Sequence, residues 1–340
     1  MRRLPQLWKL FLLVFLCAAS PGAAQKPDPA VVYANSIRHG RIAYREGWFG
    51  RGDARLHYVE AGRGPLILLY HGFPSFWYCW FDEMEALKAR YHVVAVDGLG
   101  AGRSAKPTAT DAYRIEKLAA QIDGLARHVN GYRRFTLIGH DWGAALAFAY
   151  AQAYPARLNA VIGMGAPPYN LFLDLVRNDP EQQARSRYMQ LFRSVTLGAL
   201  RSGDATAQIW QQSYRGLLAK NELDPQEGAL FRNALSDPRA IYGGMSWYRA
   251  NVPAFGAITA KDYWPADKAK IAVPALMIWG DADMTFVDRF LPRLAEYAPA
   301  VRIVRLPGVG HWIPMEQPIA VNAAIAQFLG DVESQARKPH

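Results

Sequence analysis

Short apolar runs recur along the chain: Leu56 to Val59, Leu66 to Tyr70, His92 to Val96, Phe135 to Ile138, Ala160 to Ile162, Ala275 to Trp279 and Val301 to Val304. Most are β-branched or aliphatic and are bounded by Gly, Pro or Asp, which is the pattern of buried strands. Helix-length stretches such as Ile115 to Val129 and Ala144 to Tyr154 separate the later ones. Strand alternating with helix predicts an α/β protein whose mostly parallel sheet is covered by helices on both faces. From about residue 167 to residue 262 the alternation stops. Met189, Phe192, Trp210, Tyr214, Leu217 and Leu218 fall there at helical spacings without a convincing buried strand, so a helical insert is expected before the strand pattern resumes at Pro274.

The start of the chain has a different character. Arg2, Arg3 and Lys9 precede an apolar run from Leu10 to Ala19, followed by Pro21 and a small-residue Gly22-Ala23-Ala24 site. This order predicts a secretory signal peptide over residues 1–24, hence an exported (periplasmic or secreted) protein with no stable membrane insertion once the leader is removed. The run is well short of the roughly 20 residues needed to span a bilayer; an uncleaved anchor, extended back through Leu7 and Trp8, is the alternative. Bulky Phe15 and Leu16 ahead of Cys17 argue against a lipoprotein site. Cleavage leaves Cys79 as the sole cysteine, which excludes an internal disulfide.

The expected organisation is then an extension over 25–47, a first core segment over 48–166, the helical insert over 167–262, a second core segment over 263–332 and a tail over 333–340. With 340 residues, 51% of them hydrophobic and 12% aromatic, the chain can bury a large core. The net charge of +10 is spread over scattered arginines, which is a solvated basic surface and not the footprint of a nucleic-acid binder. Nothing in the sequence sets an oligomeric state.

In an open α/β sheet, chemistry collects at the carboxyl ends of the strands. Four polar motifs fall there: His71-Gly72-Phe73-Pro74, Asp97-Gly98-Leu99-Gly100, Gly139-His140-Asp141-Trp142-Gly143, and Asp283 with His311. In this order they resemble the α/β-hydrolase superfamily over roughly residues 48 to 330, and within it the epoxide hydrolases and haloalkane dehalogenases that use an aspartate nucleophile. That resemblance implies an α/β-hydrolase fold with the helical insert as a cap. It places Asp141 at the nucleophile elbow, between glycines that let two backbone segments come close. An aspartate merely capping the following helix is the competing reading.

An aspartate near its ordinary pKa of about 4 is ionised at neutral pH and needs no base to attack. It leaves an ester, which water can cleave, where a serine would leave an ether. No Gly-x-Ser-x-Gly occurs in the chain. By the resemblance, His311 in Gly308-Val309-Gly310-His311-Trp312 is the base for that water, and Asp283 orients it, with Asp281 as runner-up. The backbone N–H groups of Phe73 and Trp142 are the implied oxyanion hole, and Phe73-Pro74 an implied cis peptide. His140 reads as structural. Gly98-Leu99-Gly100-Ala101-Gly102 lacks dinucleotide-binding spacing, and no His/Cys cluster has metal-ligand spacing, so no cofactor is expected.

Epoxide hydrolases of this family carry two cap tyrosines that donate hydrogen bonds to the epoxide oxygen. Arg187-Tyr188-Met189-Gln190-Leu191-Phe192 and Trp247-Tyr248-Arg249-Ala250-Asn251 resemble those two sites. Trp142 and Trp247 are expected beside the substrate, and the aromatic insert points to an apolar epoxide that reacts with water. Haloalkane dehalogenation is the alternative, with Trp247 or Trp210 holding the halide together with Trp142, although Phe73 stands where those enzymes usually place Asn. Fluoroacetate dehalogenases carry Arg where this chain has Trp142. A third reading is a hydrolase-fold protein that binds an epoxide without turnover.

Overall fold

A computed structural model describes residues 44–337; the leader, Cys17 and nearly all of the extension expected over 25–47 lie outside the described residues. Eight strands form one sheet: β1 (Arg45–Phe49), β2 (Leu56–Ala61), β3 (Leu66–Tyr70), β4 (His92–Asp97), β5 (Phe135–His140), β6 (Leu158–Met164), β7 (Ala275–Gly280) and β8 (Val301–Leu306). Their spatial order is β1-β2-β4-β3-β5-β6-β7-β8. β2 runs antiparallel to β1 and β4, and every other pairing is parallel.

Every residue of β3, β5 and β7 is buried, so helices cover both faces of the sheet centre. Here α1 (Phe81–Leu87), α2 (Ile115–Asn130) and α3 (Trp142–Ala153) follow β3, β4 and β5. β1 escapes the hydrophobic pattern because it is a half-exposed edge strand. The 47/48 boundary expected from the sequence falls inside this strand.

Between β6 and β7 the chain builds helices only: α4 (Tyr169–Asn178), α5 (Pro180–Arg185), α6 (Arg187–Phe192), α7 (Leu197–Ser202), α8 (Ala205–Ala219), α9 (Pro225–Ala234) and α10 (Pro238–Asn251). Three of them open on the same dipeptide. Asp179-Pro180, Asp224-Pro225 and Asp237-Pro238 each place an aspartate whose carboxylate accepts one or two first-turn N–H groups, followed by a proline that has no N–H to satisfy. After β8 come α11 (Ile313–Glu316) and α12 (Pro318–Ala336). α12 packs against α1 and against β6 and β7. It runs on through Ala336, so the tail expected from residue 333 begins inside this helix. Among the described residues no helix is long and apolar enough to cross a membrane.

Candidate active site

β5 ends at His140 and α3 begins at Trp142, which leaves Asp141 alone to make the turn at φ 55° and ψ −124°. A side chain rarely tolerates that conformation, and here the surroundings impose it. A Cβ on Gly139 would lie 2.0 Å from the Gly143 carbonyl oxygen, and one on Gly143 would lie 1.9 Å from that of Tyr70. Glycine at both positions is a steric requirement of the elbow. The Asp141 side chain makes no capping bond further into α3, which removes the capping reading.

The carboxylate meets other partners. The Phe73 N–H donates to Asp141 Oδ1 at 2.8 Å, and the Trp142 N–H also reaches the carboxylate. His311 Nε2 lies 3.4 Å from Asp141 Oδ2. Its Nδ1 lies 2.8 Å from Asp283 Oδ2, while Asp283 Oδ1 accepts the Thr285 N–H at 2.6 Å. Asp281 instead pairs with Arg305 at 2.7 Å in an exposed position, so the structure brings Asp283 and not Asp281 to the histidine.

Burial alone would raise the pKa of Asp141, but the hydrogen bond and charge of His311 hold it below the ordinary carboxylate value. Burial likewise opposes charge on His311, yet Asp283, followed by Asp141, pushes its pKa up to about 10. The resting state is thus a carboxylate–imidazolium pair at neutral pH. His140 behaves oppositely: burial pushes its pKa down to about 4, and its Nε2–H donates to the His311 carbonyl at 2.7 Å, as a neutral structural group.

Asp141, His311, Tyr188 and Tyr248 line one small cavity with Phe73 and Thr285. An apolar one, lined by Trp142, Phe172, Met189 and Phe286 among others, meets it at Asp141 and Tyr248. The two phenols hydrogen-bond to one another, and the Trp142 indole bonds that of Tyr248. Burial, followed by the charge of Asp141, pushes the Tyr188 phenol far above its ordinary pKa. For Tyr248 burial again leads, followed by Tyr188 and Asp141. Both phenols keep their protons and face a carboxylate.

Residues 65–318 match the family model described as the alpha/beta hydrolase fold. The chain is 31% identical to epoxide hydrolase 3 of Xenopus tropicalis over 90% of its own length and 82% of that protein. It is 32% identical to epoxide hydrolase A of Mycobacterium tuberculosis, covering 82% and 95% of the two chains. The crystal structure of an epoxide hydrolase from Bacillus megaterium in complex with an inhibitor superposes with a TM-score of 0.75 at 26% identity, covering 84% of this chain and 100% of that one.

The chain belongs to the epoxide hydrolase family of the α/β-hydrolase fold.

Within this α/β-hydrolase one expected site residue is displaced. Trp247 does not reach the cavity: its indole N–H donates to the Leu99 carbonyl at 2.8 Å, and its ring packs on His71 and Tyr70. Trp210 is equally occupied, donating to the Gly228 carbonyl at 3.0 Å. Neither indole is available to hold a halide. Asp97-Gly98-Leu99-Gly100 forms a tight turn with Gly100 at φ +90°, and Phe73-Pro74 is cis.

Other residues escaped the sequence reading because their task is to hold loops. Glu316 accepts the N–H groups of Gly310 and Trp312 at 2.7 and 2.9 Å, bracketing His311; burial raises its pKa against those two bonds. Gln182 of α5 donates to the Thr285 carbonyl at 3.0 Å and accepts the Val287 N–H at 2.9 Å, tying the insert to the Asp283 loop. Tyr214 of α8 donates to the Pro74 carbonyl. A buried Gln or Glu beside a catalytic motif is the signal that would have found the first two.

Proposed function

We propose that this hydrolase converts an apolar epoxide and water to a vicinal diol through an ester on Asp141. The observation that carries the reading is one cavity lined both by an ionised carboxylate, Asp141, and by the protonated phenols of Tyr188 and Tyr248. Asp141 Oδ2 attacks an epoxide carbon, the ring C–O bond breaks, and the departing oxygen takes a proton from Tyr188 or Tyr248. Esterification removes the negative charge that supported the His311 imidazolium. The proton His311 then releases restores the phenol, and the ring becomes a neutral base oriented by Asp283. It accepts a proton from water attacking the ester carbonyl. The oxyanion forms on Oδ1, which the Phe73 N–H already meets, with the Trp142 N–H on the same carboxylate. Collapse expels the diol and returns aspartate, imidazolium and both phenols to their starting states.

A panel of styrene oxide, an aliphatic epoxide and a 1-bromoalkane tests the substrate, scored for diol and for bromide. Diol without bromide is expected, and bromide without diol would overturn the reading in favour of dehalogenation. In a single turnover in heavy-oxygen water the diol should carry a light oxygen from Asp141, and label appearing directly in the diol would remove the ester. The residue 1–24 leader further supports export, with the cap helices and core acting outside the cytoplasm. Cell fractionation followed by N-terminal sequencing should return a mature chain beginning at Gln25.

A further inference from the structure

His71 is not among the groups that face the cavity, yet it touches the oxyanion hole through a single peptide. The Gly98 N–H donates to His71 Nε2 at 2.9 Å. An N–H donor requires a bare nitrogen, so Nε2 is unprotonated and the ring proton sits on Nδ1. That Nδ1 lies 2.6 Å from the Gly72 carbonyl oxygen, to which it therefore donates. Gly72 C=O and Phe73 N–H belong to one planar amide, and this N–H is the one that donates to Asp141 Oδ1 at 2.8 Å. A bond into the oxygen of an amide draws electron density from its nitrogen and strengthens its N–H as a donor.

The ring is also fixed in place. Tyr70 stacks on His71 at 6.0 Å and 15°, and Trp247 at 5.9 Å and 24°. Trp247 is itself anchored on Leu99. Asp97, next to Gly98, is held by the Trp77 and Arg103 N–H groups and by His57 Nδ1. Neither the ring nor its Gly98 donor is free to turn. Burial lowers the pKa of His71, in keeping with a neutral ring.

We infer that His71 is a positioning residue for the ester-hydrolysis step, acting as a tautomer-locked relay from the Gly98 N–H through the Gly72-Phe73 peptide to the oxyanion on Asp141. The inference rests on the reading of Asp141 as the nucleophile. The Phe73 N–H serves the resting carboxylate and the oxyanion, but the full charge it meets on one oxygen arises only as water attacks. Weakening the relay should therefore slow hydrolysis far more than ring opening.

Rapid-quench mass spectrometry of the Asp141 ester during styrene oxide turnover tests this. His71→Leu should slow ester hydrolysis by about 10²-fold, in the range found for loss of one oxyanion donor. Ring opening should change by less than about 3-fold on the same scale, so the ester accumulates. His71→Asn, whose amide can donate to the Gly72 carbonyl, should recover most of the loss. Equal slowing of both steps, or no slowing of hydrolysis, overturns the relay. Absence of any ester in the wild-type enzyme would instead overturn the nucleophile assignment. Nitrogen-15 NMR of the wild-type protein needs no variant to fold: a proton on His71 Nδ1 and none on Nε2 supports the relay, and the opposite tautomer ends it.

Discussion

The chemistry is decided at the level of single protons. His311 lies against two carboxylates, of which only Asp141 would lose its charge in the proposed ester. Asp141→Asn mimics that loss, and imidazole titration by NMR should show the His311 pKa falling from about 10; an unchanged value would mean that Asp283 alone sets it. The same shift has a stability consequence. A group whose pKa is raised on folding stabilises the fold fully below its unfolded value of 6.5, and that contribution is lost as pH rises through about 10. In Asp141→Asn the loss should end at lower pH, as read from denaturant midpoints across the range. On the proposed mechanism Tyr248→Phe removes a proton donor to the leaving oxygen, so ring opening should slow by about 10²-fold with ester hydrolysis little altered. A pre-steady-state burst separates the two, and equal loss in both would remove Tyr248 from the first step.

At the scale of elements, the site depends on loops held by side chains that never meet substrate. Glu316→Ala strips two N–H groups of their acceptor on either side of His311 and should cost about 3 kcal/mol in urea unfolding, with activity falling through misplacement of the histidine. Gln182→Leu should leave the Val287 N–H without its partner and raise hydrogen exchange there, loosening the loop that carries Asp283. The runs at 66–70 and 135–138 were legible as β3 and β5 because strands buried on both faces must be continuously apolar. Edge strand β1 was not, since its half-exposed Arg45-Glu46-Gly47 start carries no such constraint. Trp247 shows the same limit in the site: its neighbour Tyr248 lines the cavity, but one residue of helical rotation turns Trp247 toward His71.

For the molecule as a whole, the insert closes the carboxyl end of the sheet through specific bonds. Tyr214 meets the Pro74 carbonyl, Gln182 the Asp283 loop, and Asn251 of α10 the Tyr113 carbonyl and Ile115 N–H at 2.8 Å each. Motif order along the chain conveyed which residues would assemble, because each motif lies at or just past the carboxyl end of one of the mutually parallel strands β3, β4, β5, β7 and β8. The angle at which the helices sit was illegible, since it depends on long-range bonds between residues with no local pattern.

The crowded turn at 139–143 has an evolutionary corollary. A single added methyl at either flanking glycine collides with main chain that has nowhere to retreat, whereas the side chain at the apex opens onto the cavity. Mutagenesis at these three positions should therefore return folded protein for several small, unbranched apex replacements and almost none for the two flanking glycines. The scaffold is in that sense a mount with an exchangeable tip: new reactivity can be explored at one position without renegotiating the backbone that presents it.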